Sequence, residues 1–396
     1  MKKILAINAG SSSFKFKVFS YPSEKVVCKG LADRIGIQGS TFELDTPDGK
    51  KYKAQEDIPN IETAIEYLLK WLKQYQIILD MSEIVGVGHR VVNGGPYFKQ
   101  STLITEDNIE KIYDIADMAP LHNAAEANGI RAFMHVLPDV PQVAVFDTSF
   151  HRTIDPVHFM YALPYEYYER DAIRKYGAHG TSVYYIVNHM SEKLNKPVDQ
   201  LNMIVCHLGG GASLTAVKNG KSYDTSMGFS PLAGVPMGTR TGDIDPSMIP
   251  RLMEREELSL EDVTDIFENK SGFLGISGVS SDVRDVREAA KTNKRAKLAL
   301  DMFCNRVVRY IGAYYTEMGG ADTIVFTAGI GEHEPLLRKK ILEDLQVLGV
   351  KLGEEANEKN GEHKITTDDS KIAAYVVPTN EELMIEREVV RVGKIK

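Results

Sequence analysis

Two arginines, a histidine, two carboxylates and a pair of glycine-rich turns carry the chemistry open to this chain. Arg90 stands in Gly88-His89-Arg90-Val91-Val92-Asn93-Gly94-Gly95, at the end of an apolar run and among glycines. A guanidinium there can clamp a carboxylate through two parallel hydrogen bonds. Asp147 closes a second apolar run, Val143-Ala144-Val145-Phe146. It can orient a nucleophile or hold a magnesium-bound water. His179 lies in Gly177-Ala178-His179-Gly180, with no apolar helical face to pack on. Arg240 lies in the Gly/Pro-rich stretch 224–246, and a loop this long inside a compact domain is usually functional. Glu381 follows the last apolar run, in Pro378-Thr379-Asn380-Glu381-Glu382. Each has an ordinary structural alternative. Arg90 can be an exposed strand-end arginine, and Asp147 and Glu381 can be helix caps. Arg240 can sit in a loop salt bridge and His179 in a loop hydrogen bond.

The turns supply the complementary half of the chemistry. Lys3 to Val18 reads as strand, turn, strand, with Asn8, Gly10 and Ser11 to Ser13 in the turn and Phe14, Phe16 and Val18 alternating with Lys15 and Lys17. Close backbone N–H groups and hydroxyls suit phosphate. The pattern recurs from Met203 to Val217, where Asn8 falls on His207, Gly10 on Gly209 and Val18 on Val217. This predicts a duplicated domain, each half turning one phosphate-facing hairpin toward a shared cleft. The bland alternative is two unrelated hairpins. No Walker-A loop exists: Gly220-Lys221-Ser222 has the right tail, but Thr215 stands where the motif needs glycine. Together these residue types suit phosphoryl transfer, which needs positioning and charge neutralisation more than a covalent nucleophile. Magnesium would come from carboxylates and phosphate oxygens, not a His/Cys cage.

The scaffold must place these groups. A chain of 396 residues predicts two domains. With 43% apolar and 26% charged residues it reads as soluble and globular. A net charge of −8 argues against a general nucleic-acid binder. Three scattered cysteines predict a reducing compartment and no disulfides. No run approaches the ~20 apolar residues of a membrane span, so a cytoplasmic protein is expected. Strands and helices alternate through the first half, which predicts an α/β fold. Helices are expected at 61–75 with Trp71 at the edge of the apolar face, at 105–118, 123–135, 165–176, 183–194, 247–256, 259–268 and 335–346. One long helix is expected over 288–318, with Leu298, Met302, Val307 and Ile311 on its buried face. The stretch 177–182 reads as a loop, 271–281 as a Gly/Ser run, and 354–363 as a solvated segment. Thr323 to Thr327 is a strand entering Ala328-Gly329-Ile330-Gly331-Glu332-His333, a frame that can hold a base or ribose.

Asn8 to Lys15 and Gly88 to Gly95 resemble the two signature motifs of the acetate kinase family. Further stretches match in order: Ala119 to Asn123, Phe146 to His151, His179 to Ser182, His207 to Ser213, Gly238 to Pro246, Asp282 to Arg284, Phe326 to Glu332, and Pro378 to Glu382. The resemblance spans essentially the whole chain. It implies duplicated actin-like (ribonuclease H-like) α/β domains around a central nucleotide cleft. The domains would be 1–150 plus 383–396, on the carboxylate side, and 151–382, binding nucleotide and forming a homodimer. It implies reversible phosphorylation of acetate or another short-chain carboxylate by ATP, giving an acyl phosphate and ADP, with Mg2+ or alternatively Mn2+. By the resemblance Asp147, His179 and Arg240 are catalytic, and Arg90, Val92, Leu121 and Pro231 bind substrate. Asn8 and Glu381 hold the metal. Lys15, His207, Leu208, Gly209, Gly210, Gly211, Asp282, Val283, Arg284, Gly329, Ile330, Gly331, Glu332 and His333 contact nucleotide. No nucleic acid or membrane partner is implied.

This chain departs from the family pattern at Ala178, where Phe is common, and at Gly210 (Asn), Asn93 (His), Val183 (His) and His333-Glu334 (Asn-Ser). Ala178 would widen the acyl pocket, so a propionate-preferring member of the family is the near alternative. A non-catalytic actin-like nucleotide-binding protein is the remote one, and Arg90 with Asp147 speaks against it. A sugar kinase would need polar pocket residues, whereas Val92, Leu121, Ala178 and Pro231 are apolar.

Overall fold

The computed structural model describes residues 1–118 and 122–396. It divides into two units: Met1–Ser149 with Gly180–Tyr185 and Asn380–Lys396, and Phe150–His179 with Ile186–Thr379.

The first unit is built on an eight-stranded sheet. Its strands are β1 (Lys3–Ala9), β2 (Ser13–Ser20), β3 (Lys25–Asp33), β4 (Thr41–Asp45), β5 (Lys51–Gln55), β6 (Ile84–Val91), β7 (Thr102–Leu103) and β8 (Gln142–Phe146). They lie in the order β5-β4-β3-β2-β1-β6-β8-β7. β1 to β5 form an antiparallel meander, and β6 and β8 join it in parallel. β1 is apolar from Ile4 to Ile7 because both its faces are covered. Leu5, Ile7 and Ala9 pack with Ile65, Leu68 and Phe133 of the helices Ile61–Gln74 and Asn123–Val136. Ile4 and Ala6 pack on the other face with Ile385 and Val389 of the terminal helix Glu381–Gly393. Gly88 makes that second contact possible: a Cβ there would lie 2.3 Å from Ile385 Cγ2. Trp71 does not sit at an edge. It is buried, with its ring 4.9 Å from Phe42 and 5.5 Å from Tyr75.

The second unit repeats the scheme. Its sheet has β9 (Met203–Leu208), β10 (Ala212–Lys218), β11 (Lys221–Thr225), β12 (Thr323–Thr327), β13 (His363–Lys364) and β14 (Ala373–Val376). Their order, β11-β10-β9-β12-β14-β13, reproduces β3-β2-β1-β6-β8-β7 strand for strand. The directions match too: antiparallel outward from β9, parallel to β12 and β14, antiparallel to β13. The duplication expected from the two hairpins is therefore a property of the whole sheet.

Several helices differ from expectation, each for a local reason. The helix at 105–118 stops at Asp114. The helix at 165–176 is only Glu166–Asp171, because Ala172 turns left-handed at φ +52°. The next helix starts early, at Gly180, and runs to Leu194. The run 271–281 contains the helix Gly272–Ser277. The stretch 288–318 is broken: Val283–Ala289 ends, and Asn293 caps a new helix, Lys294–Met318, by accepting from the Arg295 amide at 2.9 Å. Leu298 is exposed and Met302 half-buried, while Val307 and Ile311 are buried. Within 354–363, Glu354–Asn357 is helical, with Asn357 buried. Among the described residues no helix is long and apolar enough to cross a membrane.

Candidate active site

In the first unit, β6 and β8 run parallel with Arg90 opposite Val145. Arg90 and Asp147 thus emerge at the same carboxyl edge, where α/β sheets place ligands. Arg90 Nε and Nη2 both donate to Asp147 Oδ2, at 3.0 and 2.6 Å. The Thr181 hydroxyl donates to Oδ1 at 2.9 Å, and the Gly180 amide to the Asp147 carbonyl at 2.8 Å. Asp147 is 2% exposed. Its charge pushes the Arg90 pKa up, so the guanidinium is firmly cationic. A guanidinium has five N–H donors, so some remain for a second carboxylate.

Two more carboxyls share this charge field. Burial, then Asp147, pushes Glu381 up to about 7, against the pull of Arg90. Burial pushes Glu126 up to about 8. Asn8 faces Lys15 across the first hairpin. Both line a cavity of about 240 Å³ with Lys17, Lys29, Asp45 and Glu382. Lys17 is ion-paired to Glu382 at 3.0 Å. Val92 is buried, and Leu121 lies outside the described residues.

In the second unit, His179 adopts φ +59°, ψ 17°, a left-handed conformation costly for a residue other than glycine. Its Nδ1 is 2.9 Å from Ser213 Oγ, and its ring stacks on His207 at 4.0 Å. A Cβ at Gly211 would lie 3.3 Å from His179 Nε2 and 3.7 Å from Arg240 Nη1. The histidine and the arginine therefore converge on the backbone of the glycine turn. Among the described residues Arg240 forms no ion pair; its Nη1 meets only Met237 Sδ, at 3.7 Å. The loop-salt-bridge alternative fails.

Three predicted nucleotide segments meet in one cavity of about 480 Å³, lined by Gly209, Gly210, Asp282, Arg284, Gly329 and His333 among others. Val283 and Ile330 line it too. Asp282 caps Val283–Ala289, and Arg284 holds its carboxylate down to about 2. Leu208 points into the apolar core instead. Gly331 is buried, and Glu332 is 4.0 Å from His333 Nε2. Pro231 is half-buried in the loop after β11. Ala178 is 5% exposed and packs in the apolar core of this unit. Its carbonyl lies 2.9 Å from His151 Nε2.

The Acetokinase family model matches residues 3–387. The chain belongs to the acetokinase family. It is 50% identical over 397 residues to a curated relative called acetate kinase from Geobacillus kaustophilus (strain HTA426), covering both chains completely. The crystal structure of Porphyromonas gingivalis acetate kinase superposes with TM-score 0.94 at 40% identity, over 99% of this chain and 100% of that one. A propionate kinase from Francisella tularensis subsp. tularensis SCHU S4 superposes with TM-score 0.92 at 39% identity, over 99% and 100%.

Four supporting residues were not foreseen as site residues. Thr181 and Ser213 fall inside matched motifs, but only the fold reveals that they hold Asp147 and His179. Glu126 shares the buried stripe of its helix with Ile130 and Phe133. A carboxylate at i of an i, i+4, i+7 apolar stripe was the available signal. Arg338 is 2% exposed and donates to the carbonyls of Gly331 and Glu332, both at 2.9 Å. Away from these groups, His158, Asp224 and Glu317 bring donor atoms within 4.8 Å of one another. Lys175 Nζ already lies 2.5 Å from Asp224, so an ammonium is already paired with the aspartate of that cluster.

Proposed function

We propose that this chain transfers the γ-phosphoryl group of ATP reversibly to acetate, giving acetyl phosphate and ADP. The observation that carries the reading is the Arg90–Asp147 pair, in which a buried aspartate orients an arginine that keeps donors for a small carboxylate. The substrate is already ionised, so no proton has to move. One carboxylate oxygen bonds to the γ-phosphorus, the bond to the β-bridging oxygen breaks, and its electron pair leaves on ADP. Asp147 holds Arg90, Arg90 holds the acetate, and Val92, Leu121 and Pro231 receive its methyl group. His179 and Arg240 donate to the equatorial oxygens as charge shifts onto them. The 480 Å³ cavity supports nucleotide binding through the segments from His207, Asp282 and Gly329. Lys15 supports it from the first hairpin.

Magnesium fits the remaining donors. Asn8 and Glu381 offer only oxygen, and a carboxyl raised by burial and by a neighbouring aspartate is one a divalent cation would stabilise in its charged form. Bound there, magnesium or manganese would neutralise phosphate charge. We assign the carboxylate side to the first unit, and nucleotide binding and homodimerisation to the second. Exposed Val157, Leu163 and Tyr165 support an apolar contact surface on the latter. Three buried, unpaired cysteines support a reducing, cytoplasmic setting.

Propionate is the second reading. It rests on Ala178 and on the similarity to the Francisella propionate kinase. One methylene is worth only ~1–3 kcal/mol of discrimination. Hydroxylamine trapping of product with ATP and magnesium, comparing acetate, propionate and butyrate, tests both. Highest kcat/KM for acetate upholds the first reading, and highest for propionate the second. No product from any acid refutes both.

A further inference from the structure

We infer that Glu126 is a positioning residue for carboxylate binding: it holds the Arg90 strand end from the neighbouring helix, and its own charge state tunes how that arginine receives the substrate. The inference rests on the reading of Arg90 given above.

The backbone just beyond Arg90 leaves the strand ladder and is held by side chains. Val92 N–H donates to Glu126 Oε2 at 3.0 Å. Asn93 N–H donates to Asn123 Oδ1 at 3.2 Å, and Asn123 Nδ2 returns a bond to the Asn93 carbonyl at 2.9 Å. Both anchors come from the first turn of Asn123–Val136. Gly94 N–H donates to Thr148 Oγ1 at 3.0 Å. Glu126 is 2% exposed. A buried acceptor that secures a buried backbone N–H is costly to remove.

Glu126 does more than an amide would, because it can ionise. The charged groups that face it are Arg90 on β6 and Asp147 after β8; the first favours its charge and the second opposes it. Burial outweighs both and raises it to about 8. At neutral pH the carboxyl is therefore mostly protonated and still accepts the Val92 N–H. Above that range it becomes a second anion beside an arginine already shared with Asp147. The incoming carboxylate then meets a more neutralised guanidinium. The reaction needs no proton, so Glu126 has no acid–base part in it.

The test measures kcat and the KM for acetate at pH 7, 8 and 9 in the full-length chain, Glu126→Gln and Glu126→Ala, with the KM for ATP alongside. Acetate stays ionised throughout this range. A single titration near 8 predicts that the wild-type KM for acetate rises from pH 7 to 9, by at most about tenfold. The rise should exceed any change in kcat or in the KM for ATP. Glu126→Gln keeps the acceptor but cannot ionise, so its KM should be flat. Glu126→Ala loses the acceptor, so its KM should be raised at every pH. A Gln variant that follows the wild-type profile overturns the inference, as does an Ala variant indistinguishable from Gln. Thermal unfolding at pH 7 identifies a variant that is merely misfolded. Calorimetric titration of wild type and Glu126→Gln with acetate, at pH 7 and 9, reads the same difference without turnover. If no acyl phosphate forms at all, the functional reading fails. If it forms with a pH-independent KM, this inference alone fails.

Discussion

Arg240→Ala should separate rate from stability. The side chain is half-buried, forms no ion pair among the described residues, and has Met237 Sδ at 3.7 Å as its polar contact. The bond that matters to the loop, from the Met237 amide to the Arg240 carbonyl at 3.0 Å, is made by backbone and survives truncation. Loss of stability should stay within about 0.5 kcal/mol, a melting shift of about 1–2 °C for a chain of this size. Rate is another matter. Its Nη1 lies 3.7 Å from where a Gly211 Cβ would be, beside His179 Nε2, and so faces the proposed phosphoryl position. Removing one such preorganised donor costs about 10²–10³ in turnover, or roughly 3–4 kcal/mol. A donor used only in the transition state lowers kcat and kcat/KM together and leaves KM unchanged. Steady-state kinetics with ATP and acetate varied in turn, plus a thermal melt, measure all of this. Added guanidinium ion should recover part of the rate. A KM for ATP that rises as steeply as kcat falls would make Arg240 a ground-state binding residue and refute the reasoning. So would a melting point many degrees lower.

Other outcomes follow from the same geometry. Gly88→Ala drives a methyl into Ile385 and Val389, at 2.3 and 2.6 Å. It should cost ~1–3 kcal/mol in urea unfolding and raise the half-saturating magnesium concentration, because the displaced helix carries Glu381. Arg338→Met strands the carbonyls of Gly331 and Glu332 and the Asn357 side chain. The KM for ATP should rise several-fold while the KM for acetate holds; equal effects on both would contradict the assignment. His89 is buried and neutral, 2.8 Å from Gln142 Oε1, with burial lowering it to about 4. The unfolded chain therefore binds more protons between pH 6.5 and 4, and stability falls as pH falls through that window. A shift of this size is worth about 3 kcal/mol. His89→Asn should flatten that part of a urea-midpoint profile, and parallel profiles would contradict the burial argument.

Much of this was legible because it depends on local pattern. The two hairpins announce themselves by a polar glycine turn between apolar runs, and the repeat of that pattern exposed the duplication. What hid were consequences of packing. Trp71 looked peripheral on a helical wheel, yet Phe42 of β4 closes over it, with Tyr75 at the end of its own helix beside it. Leu298 fits an apolar stripe but lies exposed, because the Asn293 cap begins a new helix with its own phase. The start of the helix at Gly180 was obscured by His179, whose left-handed backbone no propensity would choose. Arg90 and Asp147 were each visible as strand-end residues. Their bond exists only because β6 and β8 lie side by side in parallel, with Val91 paired to Phe146. Glu126 was passed over because a single carboxylate on an apolar stripe reads as a surface residue until its partner, the Val92 amide, is in view.

The central claim is that a carboxylate oxygen takes the γ-phosphoryl group of ATP. It can be read by an isotope. Acetate labelled with oxygen-18 at both carboxylate oxygens is incubated with the protein, ATP and magnesium, and the product is cleaved with hydroxylamine. That cleavage breaks the carbon–oxygen bond of acetyl phosphate and leaves the bridging oxygen on phosphorus. If a carboxylate oxygen attacks the γ-phosphorus, the released phosphate carries one labelled oxygen and acetyl hydroxamate appears in equal amount. Unlabelled phosphate without hydroxamate would mean that water, not acetate, takes the phosphoryl group, and the account would be wrong.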